Sequence, residues 1–273
     1  MIFMSWLKTF TLMAFLTALF LAIGYYFGGT GGMLFGLAFA GIMNFLAYWY
    51  SDRFVLWIYK AKPLDTKKHR NIERMTERLA EKAGVPKPRL YYLDTETPNA
   101  FATGRSPSKG VVAVTKGLVE KLDDDEIEGV IAHEIAHIKN RDTLTQAMAA
   151  TMAGAITWIG HLFFFGDREN RNIFSYLLLF IVAPLAAMLI QMAISRSREY
   201  AADRTGGAIS NPLSLAAALG KISKAAEEKP MRGGNEATAH MFIINPFSAG
   251  GVASLFSTHP PVELRIKRLK EMA

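Results

Sequence analysis

The sequence predicts a mainly α-helical α+β protein with four membrane-spanning helices and a cytoplasmic unit that carries a small β-sheet. Three observations lead there. Charge is segregated: residues 9–51, 143–166 and 172–195 contain no Asp, Glu, Lys or Arg, so all 55 charged residues of this 273-residue chain fall in the other 182 positions. A soluble globular chain interleaves the two kinds of residue along each element. Second, the uncharged windows reach the roughly 20 residues that a helix needs to cross a hydrocarbon core. Third, short runs rich in β-branched and aromatic residues lie between them, bounded by turn residues. The chain has no cysteine, which excludes a disulfide framework, an iron–sulfur cluster and a cysteine nucleophile.

Residues 9–51 are long enough for two crossings, placed at about 10–27 and 33–50, with Gly28, Gly29, Thr30, Gly31 and Gly32 breaking the run between them. A cleaved signal peptide is the competing reading of the first. It fits poorly, because the apolar run continues into a second one without a cleavage-site pattern. The third and fourth spans are expected at about 145–165 and 173–194, with a buried soluble hairpin as the alternative. His161, Gln146 and Gln191 fall within them, and His161 beside Trp158 reads as an interfacial anchor rather than a second metal site. The chain thus divides into a transmembrane hairpin (1–51), a first cytoplasmic part (52–142), a second hairpin (143–195) and a second cytoplasmic part (196–273).

Basic residues set the orientation. Lys8 precedes the first span, Arg53, Lys60, Lys62, Lys67, Lys68 and Arg70 follow the second, and Arg196, Arg198 and Arg204 follow the fourth. Both termini and the long central segment are therefore expected on the cytoplasmic side. This accounts for the net charge of +7. No basic helix or interleaved aromatic stripe points to nucleic acid.

In the first cytoplasmic part, residues 65–84 have helical spacing and end at Gly84. Residues 90–93 and 110–115 read as strands, and Asn99–Thr103 as a shorter third. A helix starts near Asp123. Its acidic run is better explained as an N-cap with Glu126 reaching back than as a metal cluster. That helix carries His133-Glu134-Ile135-Ala136-His137. Two His four residues apart share a helix face and can reach one metal ion, with Glu134 offset beside them to act on a water. Random placement of the same residues would give the pattern about 0.007 times, so it is specific. The bland alternative, two surface His beside a Glu, conflicts with the apolar flanks Val130, Ile131, Ala132, Ile135 and Ala136.

A catalytic zinc takes three protein ligands and keeps one position open. Lys139, Asn140 and Arg141 cannot supply the third. Across the later spans lies Arg198-Glu199-Tyr200-Ala201-Ala202-Asp203. Glu199 is the expected ligand, unless it only pairs with Arg196 or Arg198. Asp203, one turn later, would accept the remaining N–H of a ligand His. Two crossings separate His137 from Glu199, which returns both to the same side of the membrane.

His133–His137, Glu199–Asp203 and Thr258-His259-Pro260-Pro261 together resemble the membrane-embedded gluzincin metallopeptidases of the HtpX type, as do Pro98–Gly104, Asn245-Pro246-Phe247 and the order of the spans. The resemblance covers essentially the whole chain. It implies a zincin-like catalytic unit and a zinc endopeptidase of the cytoplasmic membrane, with one Zn²⁺ per chain, that removes misfolded or damaged membrane proteins and serves the stress response. Glu134 would then be the general base, and His259 the donor to the oxyanion, with a loop or helix-start role as the bland alternative for His259. The strand with Asn99, Ala100, Phe101 and Ala102 would be an exposed edge that pairs with extended substrate. Arg265 would orient a substrate carbonyl or simply pair with Glu263. Residues 233–239 read as a mobile loop. Two other functions stay open: a membrane metal carrier or sensor that does not hydrolyse, and a prenyl-protein-type peptidase.

Overall fold

The computed structural model describes residues 2–152, 196–231, 236–247 and 259–273. Most of the expected third span, all of the fourth, and His161 and Gln191 lie outside these residues.

The chain opens with α1 (Ile2–Ile58), a helix that doubles back on itself at Gly28 and at Gly29, whose φ of 57° suits a residue without a side chain. Its two arms contain stretches long and apolar enough to cross a membrane, Thr9–Tyr26 and Gly28–Ile58. The arms run antiparallel in close contact. A Cβ on Gly24 would sit 2.2 Å from the Gly32 carbonyl oxygen, and one on Gly36 2.2 Å from that of Phe20. Phe20 and Phe39 meet edge to face, and Asn44 donates to Thr17 Oγ1 and the Met13 carbonyl. Small residues that admit backbone contact, with a few polar links, are how helices hold each other in lipid. The second arm does not stop near Tyr50 as expected but runs on to Ile58. Asp52 and Arg53 end the apolar run without ending the helix, because Val55 and Leu56 are buried against the rest of the protein.

Four strands form one mixed sheet: β1 (Lys62–Pro63), β2 (Arg89–Leu93), β3 (Ala100–Thr103) and β4 (Val111–Thr115), in the order β1-β2-β4-β3. Only β2 and β4 pair in parallel. Alternation sorts the side chains into two layers. Leu90, Ala100, Ala102, Val112 and Val114 join the main core, whereas Leu93, Phe101, Val111 and Ala113 face a second cluster with Val55, Leu56, Ala147, Met241 and Phe242. The sheet therefore separates the main helical core from the end of α1. The two-residue β1 and the short helix α3 (Lys116–Lys121) are too brief to show in a periodicity.

Helix α2 begins at Arg70 rather than 65 and runs to Ala83. Asp65 Oδ1 accepts the Lys67 amide at 3.0 Å, holding the preceding residues in a turn. Helix α4 (Asp124–Asn140) opens on a reciprocal capping box between Asp123 and Glu126, and the apolar face on α2 and the sheet buries most of it. It ends at Arg141, whose φ is 60°, and the chain resumes as a helix over 142–152, here α5. After the undescribed stretch come α6 (Arg196–Ile209), α7 (Pro212–Glu228) and, at the C-terminus, α8 (Val262–Lys270). Residues Glu236–Met241 form a 3₁₀ turn, which takes in residues 236–239 of the expected mobile loop. Its Thr238 and His240 are buried, Tyr59 bonds the Thr238 hydroxyl, and His240 Nε2 lies 3.1 Å from the Gln146 carbonyl oxygen.

Candidate active site

The site forms where α4, α6 and α8 meet. Helix α6 approaches α4 so closely that a Cβ on Gly206 would lie 2.9 Å from the His133 backbone. That contact sets Glu199 and Asp203, about two turns and one turn earlier on α6, against the His133–His137 face of α4. One ligand atom each from His133, His137 and Glu199 lies within 4.8 Å of the others. His133 Nε2 is 3.1 Å from His137 Nε2, Glu199 Oε1 is 3.4 Å from His137 Nε2, and Glu199 Oε2 is 3.7 Å from His133 Nε2. Four ligands placed tetrahedrally about 2.0–2.1 Å from a zinc ion stand roughly 3.3 Å apart, so this donor set fits such an ion. All three side chains are buried. Two ring nitrogens that close would repel each other if neither carried a proton, and a cation between them would relieve that.

The surroundings bias each group. Burial pushes the Glu134 carboxyl up to about 8, with the nearby Glu199 charge adding to it. Its Oε1 is buried with no hydrogen-bond partner among the described residues, while the Ala102 backbone bonds the carboxylate. Burial alone would depress His137, but Glu199 and Asp142 outweigh it and hold the imidazole at about 9. Burial lowers His133 despite Asp203. Glu199 resists its burial through His137, His259 and Arg265 and sits well below the usual carboxylate range.

Asp203 Oδ1 lies 2.9 Å from His133 Nδ1. Arg265, fully buried, spans the same carboxylate with two 2.8 Å bonds from Nε and Nη2, and donates from Nη1 to the Ile243 carbonyl. It pairs with Asp203 rather than with Glu263, and its Nη2 also lies 3.5 Å from His133 Nε2 and 3.8 Å from Glu199 Oε2. A buried guanidinium needs a buried anion, and Asp203 is nearer than the surface. His259 Nδ1 comes to 3.3 Å from Glu199 Oε2, and its Nε2 has no partner among the described residues.

The expected exposed edge is also different. β3 is the edge strand in sheet order, but all four of its residues are buried. The Ile243 amide donates to the Ala100 carbonyl at 3.0 Å, and Asn99 Nδ2 donates to the Ile244 carbonyl at 2.8 Å. The chain's own 242–244 segment covers that side, since an unpaired edge is costly to leave open. Sequence reasoning missed Asp142 and offered Arg198 only as a possible partner of Glu199. Asp142 Oδ2 lies 3.3 Å from His137 Nδ1, and Arg198 Nη1 donates to Asp142 Oδ1 at 3.2 Å. The only signal was an acid five residues after the second His, off the helical spacing.

Two imidazoles from one helix turn, a carboxylate from a distant helix and a buried Glu beside them with one oxygen unpartnered among the described residues define a metallopeptidase. Residues 66–273 match the family model described as Peptidase family M48, and the chain belongs to that family. It is 52% identical over 280 residues to the protein named "Protease HtpX homolog" of Thermococcus sibiricus, covering 98% of this chain and 96% of that one. Proteins of the same name from Pyrococcus furiosus and Salinibacter ruber are each 53% identical, over 277 and 274 residues, covering 98% and 99% of this chain and 96% and 99% of theirs. In fold it is similar to the crystal structure of S. mikatae Ste24p, with a TM-score of 0.54 at 17% identity. That match covers 96% of this chain, which spans 64% of the Ste24p chain.

Proposed function

We propose that the protein is a zinc-dependent endopeptidase of the cytoplasmic membrane. It would span the bilayer four times, with termini and active site on the cytoplasmic side, and hydrolyse misfolded or damaged membrane proteins. The single observation that carries the reading is the convergence of His133, His137 and Glu199 beside a buried Glu134 whose Oε1 has no partner among the described residues. His133 Nε2, His137 Nε2 and a Glu199 oxygen would hold one Zn²⁺, which supplies a Lewis acid when bound. Glu134 removes a proton from the attacking water and later delivers it to the leaving amine. His259 Nε2 is the donor left for the developing oxyanion. Arg265 and Asp203 hold the His133 ring. With Asn99 and Ala100 engaged by residues 243–244, an extended substrate would meet the Ala102 end of β3, nearest Glu134. The quality-control role follows the resemblance to proteases of the HtpX type.

The test compares detergent-purified wild type with Glu134→Gln, by metal analysis and by cleavage of an unfolded protein such as casein. The variant should keep one zinc per chain and lose about 10²–10⁴ in cleavage rate. Retained cleavage would remove the general-base role. A wild type that takes up zinc but cleaves nothing would point to a metal carrier instead.

A further inference from the structure

The two imidazoles are supported in parallel. Each has a carboxylate on the ring nitrogen away from the other ligands, and each carboxylate has its own arginine: His133 with Asp203 and Arg265, His137 with Asp142 and Arg198. We propose that Asp142 is a positioning residue for the metal site: it fixes the His137 ring through Nδ1 and is itself held by Arg198, so that metal affinity depends on a residue outside the helix that carries the ligands. This rests on the metal-site reading given above.

The backbone is built for the contact. In an unbroken helix, residue 142 would lie about 140° around the axis from residue 137, too far to meet its side chain. Instead α4 stops at Arg141, in the left-handed region that residues with a Cβ seldom occupy, and the chain restarts with Asp142 folded back towards His137. Asp142 is buried, at 2% exposure, and divides its two oxygens between one imidazole and one guanidinium. A carboxylate at Nδ1 keeps the proton there and leaves the Nε2 lone pair free to ligate, which raises ligand basicity and holds the ring plane. Arg198 directly precedes Glu199 on α6. The chain from His137 through Asp142 to Arg198 therefore ties the first helix of ligands back to the helix of the third. The same Asp142 opens α5, whose Thr145 meets Thr9 of the first arm of α1 at 3.1 Å. The positioning group thus belongs to the helix that leads towards the third expected span.

The test uses the full-length protein in detergent, loaded with zinc alone and separately with cobalt(II), whose visible spectrum reports ligand geometry. Asp142→Ala should weaken zinc about 10–100-fold in competition with a chromogenic chelator, and should alter the cobalt spectrum. Asp142→Asn, whose amide oxygen can still accept from Nδ1, should fall between Ala and wild type. Arg198→Met should give a smaller change in the same direction. A purely architectural Asp142 would lower thermal stability but leave the zinc constant and the cobalt spectrum of the folded fraction unchanged in all three variants, which overturns the proposal. If Asp142→Ala does not fold, the Asn and Met variants decide on the same two readouts. A wild type that binds no zinc would sink the metal-site reading itself, whereas normal wild-type uptake with unaffected variants would sink only the role of Asp142.

Discussion

The hairpin of α1 and the catalytic unit are turned inside out with respect to each other. In the hairpin many large apolar side chains face outward, with Phe10, Tyr26, Leu34 and Phe35 each at least 63% exposed, and the contact between the arms combines glycine backbone, the Phe20–Phe39 pair and the Asn44–Thr17 link. In the catalytic unit the interior holds His133, Glu134, His137, Asp142, Glu199, Asp203 and Arg265, none more than 5% exposed. One rule produces both arrangements: a polar group must find a partner wherever water is missing. In the hairpin few polar side chains are present and the backbone satisfies itself within each helix. In the catalytic unit ionised groups are gathered and made to satisfy one another, which concentrates reactive chemistry but makes each member indispensable to the rest.

That contrast can be broken at graded cost. Removing one member of the buried set should do the most damage. Arg265→Ala leaves Asp203 buried without its cation, and an expected loss of about 3–5 kcal/mol should appear in denaturant unfolding of the metal-free protein. A variant as stable as wild type would mean that the pair does not carry the interior. Acid should act on the same pair more mildly. Asp203 is held at about 2, with Arg265 and His133 outweighing the burial that would raise it, against an ordinary value of 3.8. A depressed carboxyl stabilises the fold above its unfolded value and loses that contribution as pH falls through the folded one. About 2 kcal/mol should therefore disappear between roughly pH 4 and pH 2, and Asp203→Asn should flatten that limb of the stability profile. The hairpin should respond least, and separately. A Cβ at residue 32 would sit 2.1 Å from the Gly24 carbonyl oxygen, so Gly32→Ala should cost about 1–2 kcal/mol of hairpin packing while zinc content stays at the wild-type value. Loss of zinc in that variant would show the two regions to be one energetic unit.

How much of this was legible in the sequence follows the range of the interactions. The glycine break at Gly28–Gly29, the capping box at Asp123 and Glu126 and the αL stop at Gly84 are local, and their residue types announce them. His133 and His137 could be paired from a four-residue spacing alone. Glu199 lies 62 residues beyond His137, so only a distant motif and the expected two crossings could join them, and Asp203 followed from Glu199 by one turn. Arg265 was named but given the wrong partner, because the nearest acid in sequence, Glu263, is not the nearest in space. Asp142 could not be read at all, since the αL residue before it undoes the helical spacing that a pattern search relies on. The cover over β3 was equally hidden: a strand of Ala, Phe, Ala and Thr looks the same whether its edge is free or occupied by residues more than a hundred positions away.

The length of the second arm of α1 has a consequence for what the enzyme can reach. Gly28–Ile58 comprises 31 residues, about 46 Å of helix, against a hydrocarbon core of about 30 Å. Its far end is embedded through Val55 and Leu56 in the same cluster as Phe101 and Phe242 of the catalytic unit, with no slack between the two. In the proposed topology the arm works as a rigid post that keeps the scissile position at a fixed height over the lipid. A partner would then need a segment loose over that distance to reach the site, which would keep tightly folded proteins with short loops out of range.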